Sequence, residues 1–104
     1  MNKQKLFQRI KRAIYEFDKN ATVILYGSRV RGDFSRDSDW DFLILLSRHI
    51  ESKDKSNLRH KLYDIELETG EIVSAIFYEK EEWSSERNQF SPFYKNVMQA
   101  KEII

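Results

Sequence analysis

Apolar residues recur every three or four positions near the start of the chain, with lysine and arginine residues between them. Because an α-helix has about 3.6 residues per turn, this spacing places the apolar side chains on one face. The pattern predicts an amphipathic helix over residues 3–19 that ends near Asn20. Its predicted apolar face consists of Leu6, Ile10, Ala13, Ile14 and Phe17.

Three short apolar runs have the length and composition of β-strands. They lie at residues 21–26, 40–46 and 72–78. The second run hardly alternates between apolar and polar residues, so we expect that strand to be buried on both faces of a sheet. Residues 28–39 between the first two runs are polar, and they predict a loop or a short helix followed by a loop.

Residues 56–70 carry two overlapping patterns. The spacing of apolar residues from Leu58 to Ile65 fits a helix, for which Gly70 would be the C-terminal cap. Apolar and acidic residues also alternate over 63–68, which fits a strand that turns into a hairpin at Gly70. We favour the helix, because two successive buried strands would otherwise have no helix to cover them.

The remaining segments carry weaker patterns. Residues 47–55 are polar and predict a connection, whereas residues 79–104 predict short helices that are interrupted at Ser91 and Pro92. The complete pattern predicts one α/β domain over residues 1–104, with a small mixed β-sheet flanked by helices. Four aromatic residues of the last segment are expected either to pack against this sheet or to form a patch for a partner protein: Trp83, Phe90, Phe93 and Tyr94.

Charged residues make up 34% of the 104 residues, but the formal net charge is only +1. A protein that binds nucleic acid through its phosphates needs a basic excess, so nucleic acid is not expected as a partner. The chain has no cysteine, which excludes disulfides, thiolate metal sites and a cysteine nucleophile. The longest apolar run, 42–46, is far shorter than the ~20 residues of a membrane span. With a polar stretch at residues 1–5 in place of a signal peptide, these features predict a cytoplasmic protein that does not enter a membrane.

A glycine, a serine and two arginines follow the first predicted strand. Gly27 comes directly after the strand, where a residue without Cβ allows a sharp turn and a close approach to a ligand. Ser28 offers a hydroxyl and begins the predicted short helix, whose free N–H groups attract phosphate. Arg29 and Arg31 add positive charge with the fork geometry that suits phosphate oxygens. These four residues are the predicted phosphate-binding positions.

Two aspartates stand at the start of the second predicted strand. Asp39 and Asp41 flank Trp40, and alternate residues of an extended chain point to the same side. Two carboxylates this close repel each other unless a cation lies between them. With only oxygen ligands and no neighbouring histidine or cysteine, the expected ion is Mg²⁺ or Mn²⁺. A phosphate-binding turn beside such a carboxylate pair indicates metal-assisted phosphoryl or nucleotidyl transfer.

The spacing of these residues is similar to a known signature. Gly27-Ser28, followed after ten residues by Asp39-x-Asp41, resembles the motif of the nucleotidyltransferase superfamily related to DNA polymerase β. The longer string from Gly27 to Asp33 resembles the minimal nucleotidyltransferases of prokaryotes. Those proteins are often the smaller partner of a HEPN-domain protein in a two-component, toxin–antitoxin module. The resemblance covers most of the chain and implies the α/β fold of a nucleotidyltransferase domain.

The resemblance also implies roles for the residues of the signature. Gly27 and Ser28 would hold the triphosphate of ATP or another nucleoside triphosphate. Asp39 and Asp41 would bind Mg²⁺ or Mn²⁺ and would be the catalytic pair. Arg29 and Arg31 match the family pattern and are expected to contact the nucleotide.

The sequence departs from the family pattern at one position. Active members usually carry a third carboxylate on the next core strand, where it ligates a metal and helps to deprotonate the acceptor hydroxyl. In this chain the matching position falls near Ser74, and serine cannot act as that base. If residues 56–70 form a hairpin, the carboxylate could instead come from Asp64, Glu66 or Glu68. Glu71 could supply it only if the register of the strand is shifted.

The expected function is metal-dependent transfer of a nucleoside monophosphate from ATP or another nucleoside triphosphate to an acceptor. We expect the acceptor site to lie on a partner protein, because so short a chain offers little surface for a second substrate. The alternative is a catalytically weak, antitoxin-like module that binds a HEPN-type partner. A third hypothesis, transfer to RNA, fits poorly with the near-zero net charge.

Overall fold

The chain folds into helices and strands over residues 3–104, which the computed structural model describes. Met1 and Asn2, the first residues of the predicted domain and of its polar start, lie outside the described residues. The helices are α1 (Lys3–Phe17), α2 (Ser28–Arg31), α3 (Ser52–Thr69), α4 (Lys80–Trp83), α5 (Glu86–Gln89) and α6 (Pro92–Gln99). The strands are β1 (Thr22–Tyr26), β2 (Trp40–Leu46), β3 (Val73–Glu79) and β4 (Lys101–Ile103). Within the described residues, no helix is both long enough and apolar enough to cross a lipid bilayer.

The strands form a mixed sheet in the order β3-β2-β1-β4. β1 pairs antiparallel with both β2 and β4, whereas β2 and β3 pair in parallel. A parallel pair needs a crossover that returns the chain to the same end of the sheet, and α3 provides it. This arrangement confirms the predicted α/β class with a small mixed sheet flanked by helices.

Helices α1 and α3 cover one face of the sheet, where Phe42 and Ile44 are fully buried. Gly70 ends α3 in the left-handed conformation, with φ of 74°, and its N–H donates to the Glu66 carbonyl oxygen at 2.8 Å. The helix predicted over residues 56–70 is therefore confirmed, and the hairpin alternative is wrong. The buried residues of the two helices are Leu6, Ile10, Ala13, Ile14, Leu58, Leu62 and Ile65.

Helices α4 and α6 lie against the opposite face of the sheet. Trp83 is buried there, with its ring centroid 5.8 Å from that of Phe93 and 4.9 Å from that of Tyr94. The predicted packing role is confirmed for these three aromatic residues. Phe90 does not join them, because 72% of it is exposed.

The structure corrects the predicted ends of several elements. α3 begins at Ser52, although the polar stretch 47–55 predicts a connection, because Glu51 and Asp54 form a reciprocal capping box that starts the helix earlier. α1 ends at Phe17, slightly before its predicted end. β4 lies where the sequence predicts short helices. Its side chains are exposed and backbone bonds to β1 hold it, so no apolar pattern signals this strand.

A buried aspartate ties the end of α1 to the end of β2. Asp18 has 6% of its surface exposed. Its carboxylate accepts hydrogen bonds from the Ser47 N–H at 2.6 Å, the Ser47 hydroxyl at 2.7 Å and the Asn20 N–H at 3.0 Å. Burial alone would raise the pKa of Asp18, but these hydrogen bonds and the charge of Lys80 outweigh it and hold the pKa below its ordinary value.

Replacing Asp18 with asparagine should lower the free energy of unfolding by about 2 kcal/mol, because an amide cannot accept all of these hydrogen bonds. For a chain of this length that loss corresponds to a fall of roughly 10 °C in Tm, measured by circular dichroism. Since the folded-state pKa is lowered, the stabilisation is fully present above the ordinary pKa of 3.8 and is lost as the pH falls through the folded-state value. The difference in Tm should therefore shrink at acid pH. Asp37→Asn, at an exposed position, is the control, and equal Tm values of wild type and Asp18→Asn at neutral pH would contradict the prediction.

Candidate functional site

The turn between β1 and α2 brings the backbone of Gly27 against a carboxylate. Gly27 has φ of 80° and ψ of −156°, a combination that is open to glycine and strained for other residues. A Cβ at this position would lie 2.5 Å from Asp41 Oδ2, closer than such atoms approach each other, and 3.3 Å from Asp41 Cγ, which is a tight contact. The missing side chain therefore allows the turn to lie directly beside Asp41.

Both predicted aspartates lie at the start of β2, with a residue of β3 beside them. Asp41 is half-buried and pairs across the sheet with Tyr26 of β1 and Ser74 of β3. Asp39 is exposed, and its Oδ2 accepts a hydrogen bond from the Ser74 hydroxyl at 3.1 Å. The structure thus brings Gly27, the two aspartates and Ser74 together at one end of the sheet.

Negative charge is concentrated at this end of the sheet. Burial raises the pKa of Asp41 and the nearby charge of Asp39 raises it further, while the charge of Arg31 partly offsets both. Burial also raises the pKa of Tyr26 to about 12, with a second contribution from the charge of Asp41. A bound cation would relieve this concentration of negative charge.

The side-chain oxygens that could bind a metal ion at this end of the sheet are those of Asp39, Asp41 and Ser74. Over residues 3–104, no three acidic, histidine or cysteine side chains come together as a complete metal cage. Mg²⁺ is typically held by one or two carboxylates and takes water and substrate phosphate oxygens as its remaining ligands. The residues present therefore fit an ion whose coordination is completed by phosphate oxygens.

The other acids considered for the third carboxylate have different surroundings. The hairpin alternative would have offered Asp64, Glu66 and Glu68, but all three lie on α3. α3 packs on the face of the sheet opposite to Asp41, because Asp41 shares its face with Leu43. Glu71 precedes β3 and accepts a hydrogen bond from Trp40 Nε1 at 2.9 Å. Ser74 is therefore the β3 residue that stands beside the two aspartates.

The two arginines predicted to contact the nucleotide have different environments. Arg31 is exposed, with its Nε 3.3 Å from Asp33 Oδ1, and its charge reaches Asp41. Only 8% of the Arg29 side chain is exposed, and its Nη2 donates to the Ser38 carbonyl oxygen at 2.8 Å. Arg31 is accessible to a nucleotide, whereas the Arg29 guanidinium is turned into the protein.

Two aromatic residues, Tyr26 and Trp40, pack beside the motif on opposite faces of the sheet, although neither is predicted to have a role there. Tyr26 pairs with Asp41, and its ring packs edge-on against Phe93 with the centroids 5.5 Å apart. Trp40 follows Asp39 and precedes Asp41 in the sequence, but its buried ring packs on the opposite face of the sheet, and its Nε1 donates to Glu71. The signal that could have found both is their position in the sequence, since each directly adjoins a motif residue.

The chain is similar in sequence to known proteins. The family model of the nucleotidyltransferase domain matches residues 7–101. A protein of Methanocaldococcus jannaschii named "Putative protein adenylyltransferase MJ0141" is 36% identical over 63 residues. The alignment covers 61% of this chain, which spans 64% of the length of that archaeal relative. By the match to the family model over most of its length, the chain belongs to the nucleotidyltransferase domain family.

Proposed function

We propose that the chain binds ATP or another nucleoside triphosphate with Mg²⁺ or Mn²⁺ and transfers the nucleoside monophosphate to an acceptor. Membership of the nucleotidyltransferase family supports nucleotidyl transfer as the general activity. The observation that carries the proposal is the geometry at Gly27, whose backbone turn lies directly beside the Asp41 carboxylate. A turn suited to phosphate and a carboxylate pair suited to a hard cation are thereby adjacent.

The proposal assigns a role to each residue of the turn and of the strand start. Asp39 and Asp41 would hold the divalent ion, which when bound neutralises charge that develops as pyrophosphate leaves. Gly27 and Ser28 hold the triphosphate, and Arg31 adds positive charge beside it. The acceptor hydroxyl gives its proton to an aspartate of the pair or to water, its oxygen forms a bond to the α-phosphorus, and the bond from that phosphorus to the leaving pyrophosphate breaks.

The acceptor is proposed to be a hydroxyl group on another protein. The site is open, because Asp39 is exposed and Asp41 and Ser74 are only half-buried, so a large acceptor can approach it. The name of the archaeal relative, "Putative protein adenylyltransferase MJ0141", supports this class of acceptor. The HEPN-domain partner and the cytoplasmic location stay predictions from the sequence.

A second candidate function is favoured by the serine at position 74. Ser74 has no carboxylate with which to accept the proton of an acceptor hydroxyl, and loss of a general base costs about 10²–10⁴-fold in rate. On this alternative the chain binds the nucleotide without effective turnover and acts as an antitoxin-like module for a HEPN-type partner. Intact nucleotide binding without transfer would favour it.

Nucleotide binding is tested by thermal melting. At about 100 times Kd, Mg²⁺ with ATP should stabilise the native state by about 2.7 kcal/mol and raise Tm by roughly 10–20 °C. The Asp39→Asn, Asp41→Asn double variant should show no such rise, because amides lack the anionic oxygens that the ion needs. The Asp37→Asn, Asp64→Asn double variant makes the same charge change at exposed positions and should behave like wild type. Equal rises in all three proteins would remove the metal-site proposal.

Transfer is tested with ATP that carries a label on its α-phosphate. Incubation with candidate acceptor proteins should leave the label covalently attached to the acceptor and release pyrophosphate. The label should be absent when Asp39 and Asp41 are replaced by asparagine. A Tm rise without any labelled acceptor would instead support the second candidate function.

A further inference from the structure

We propose that Arg29 is a positioning residue that holds Asp39 in place, and that it does not contact the nucleotide phosphates. The inference rests on the proposed function, because Asp39 is important there as a ligand of the divalent ion. Sequence alone groups Arg29 with Arg31 as phosphate contacts. The environment of the Arg29 guanidinium argues for the different role.

The Arg29 guanidinium is enclosed by the loop that leads into β2. Its central carbon lies 4.1 Å from the centroid of the Trp40 ring and 4.7 Å from that of the Phe34 ring. Its Nη2 donates to the carbonyl oxygens of Ser38 at 2.8 Å and Arg36 at 3.3 Å. The positively charged guanidinium therefore already contacts two aromatic rings and two backbone carbonyl oxygens of its own chain.

The remaining surface of the guanidinium is poorly placed for a phosphate. A forked contact to phosphate uses two adjacent N–H groups. In Arg29 the Nε is closed to solvent and has no hydrogen-bond partner among the described residues, and Nη2 is bonded to the loop carbonyls. With 8% of the side chain exposed, the nucleotide meets little of Arg29.

Glu71 extends this network to the strand on the other side of β2. Its Oε2 accepts a hydrogen bond from Trp40 Nε1 at 2.9 Å and lies 4.0 Å from Arg29 Nη2. The backbone N–H of Trp40 donates to the Ile72 carbonyl oxygen at 2.8 Å. Trp40, which directly follows Asp39, is thus held at its backbone, its indole N–H and its ring face.

Asp39 lies between the two residues that Arg29 contacts most closely. The Ser38 carbonyl belongs to the planar peptide group that joins Ser38 to Asp39, so a bond to that carbonyl orients the Asp39 backbone. Trp40 fixes the chain on the other side of Asp39. Asp39 itself is exposed and its carboxylate accepts a hydrogen bond from the Ser74 hydroxyl, so these contacts to its neighbours hold the backbone from which that carboxylate extends.

Binding of Mn²⁺ without nucleotide separates positioning from phosphate contact. Arg29→Gln should weaken Mn²⁺ binding at least about 10-fold, titrated by electron paramagnetic resonance, because Asp39 loses its fixed position. Arg29→Lys keeps the charge, but a lysine cannot hydrogen-bond to the carbonyls and stack on the rings at the same time. Its binding of Mn²⁺ should therefore be weakened as well. Arg36→Gln removes one positive charge from the same loop and keeps the backbone carbonyl, and it should bind Mn²⁺ like wild type.

Hydrogen exchange supplies a readout that needs no metal. The amides of Ser38 and Trp40 are hydrogen-bonded to Ser35 and Ile72. In Arg29→Gln and Arg29→Lys these two amides should exchange at least about 10-fold faster than in wild type. Exchange in α3 should be unchanged, which verifies that the variants are folded. If Arg29→Gln does not fold, Arg29→Lys alone provides the test.

The outcomes distinguish the possible failures. Unchanged exchange at Ser38 and Trp40 in a folded variant overturns the positioning role. Unchanged Mn²⁺ affinity with weakened Mg²⁺–ATP binding also overturns it, in favour of a phosphate contact. Wild-type protein that binds Mn²⁺ neither alone nor together with ATP would contradict the proposed function instead, and the exchange rates would still decide whether Arg29 holds the segment around Asp39.

Discussion

Gly27→Ala should abolish the rise in Tm with Mg²⁺ and ATP and should lower nucleotidyl transfer by at least about 100-fold. A Cβ at Gly27 would lie 2.5 Å from Asp41 Oδ2, so either the carboxylate or the turn must move away from the other. The φ of 80° and ψ of −156° add backbone strain for alanine of about 1–3 kcal/mol. Melting with and without Mg²⁺–ATP, together with transfer of labelled nucleotide, measures the two effects.

Gly32→Ala is the control within the same motif. Gly32 also has a positive φ, of 93°, but a Cβ there would meet no atom within 4 Å. This variant should lose about 1–2 kcal/mol of stability from its left-handed backbone and should keep the rise in Tm with Mg²⁺–ATP. Undiminished nucleotide binding by Gly27→Ala would contradict the arrangement of turn and carboxylate on which the proposed function depends.

Elements with a regular apolar pattern could be predicted from the sequence, because the pattern reports burial. β2 is an almost continuous apolar run, and the sheet buries it on both faces as expected. The helix over residues 56–70 needed a further argument, since its local pattern also fitted a strand. Topology favours the helix there, because buried neighbouring strands need a covering helix. β4 has exposed side chains and is held by backbone hydrogen bonds, so neither apolar pattern nor topology predicts this strand from the sequence.

The grouping of the motif residues could also be predicted, because strand pairing brings them together. β1 ends at Tyr26, which pairs with Asp41 near the start of β2, and Gly27 comes next along the chain. The register of β3 then places Ser74 beside Asp41. Spacing along the chain is sufficient for this grouping once the strands and their pairing are known.

The partners of each side chain could not be predicted in the same way. Arg29 and Arg31 are two residues apart in a charged segment, and both look like phosphate contacts in the sequence. Their different environments depend on where the rings of Phe34 and Trp40 stand after folding. Aromatic residues close in sequence to an arginine are the signal for such enclosure, but only the three-dimensional arrangement decides which arginine is enclosed.

Ser74→Asp should raise the rate of nucleotidyl transfer by about 100-fold or more. Ser74 pairs with Asp41, and its hydroxyl lies 3.1 Å from Asp39 Oδ2, so an aspartate here would place a third carboxylate beside the pair. The resemblance to active nucleotidyltransferases predicts a third carboxylate on this strand, where it helps to deprotonate the acceptor. Three carboxylates repel one another, so Tm should fall without metal and recover with Mg²⁺. Transfer of labelled nucleotide and melting with and without Mg²⁺ measure these changes.

Ser74→Asn is the control, because asparagine has nearly the size of aspartate but no charge. It should neither raise the transfer rate nor make Tm depend more strongly on Mg²⁺. Transfer by Ser74→Asp but not by wild type would mean that the natural chain keeps a nucleotide site without an effective base, as the antitoxin-like alternative requires. Wild-type transfer as fast as that of Ser74→Asp would mean that position 74 takes no proton during the reaction. The acceptor proton would then pass to water or to one of the two aspartates, of which Asp39, beside the Ser74 hydroxyl, is the more exposed.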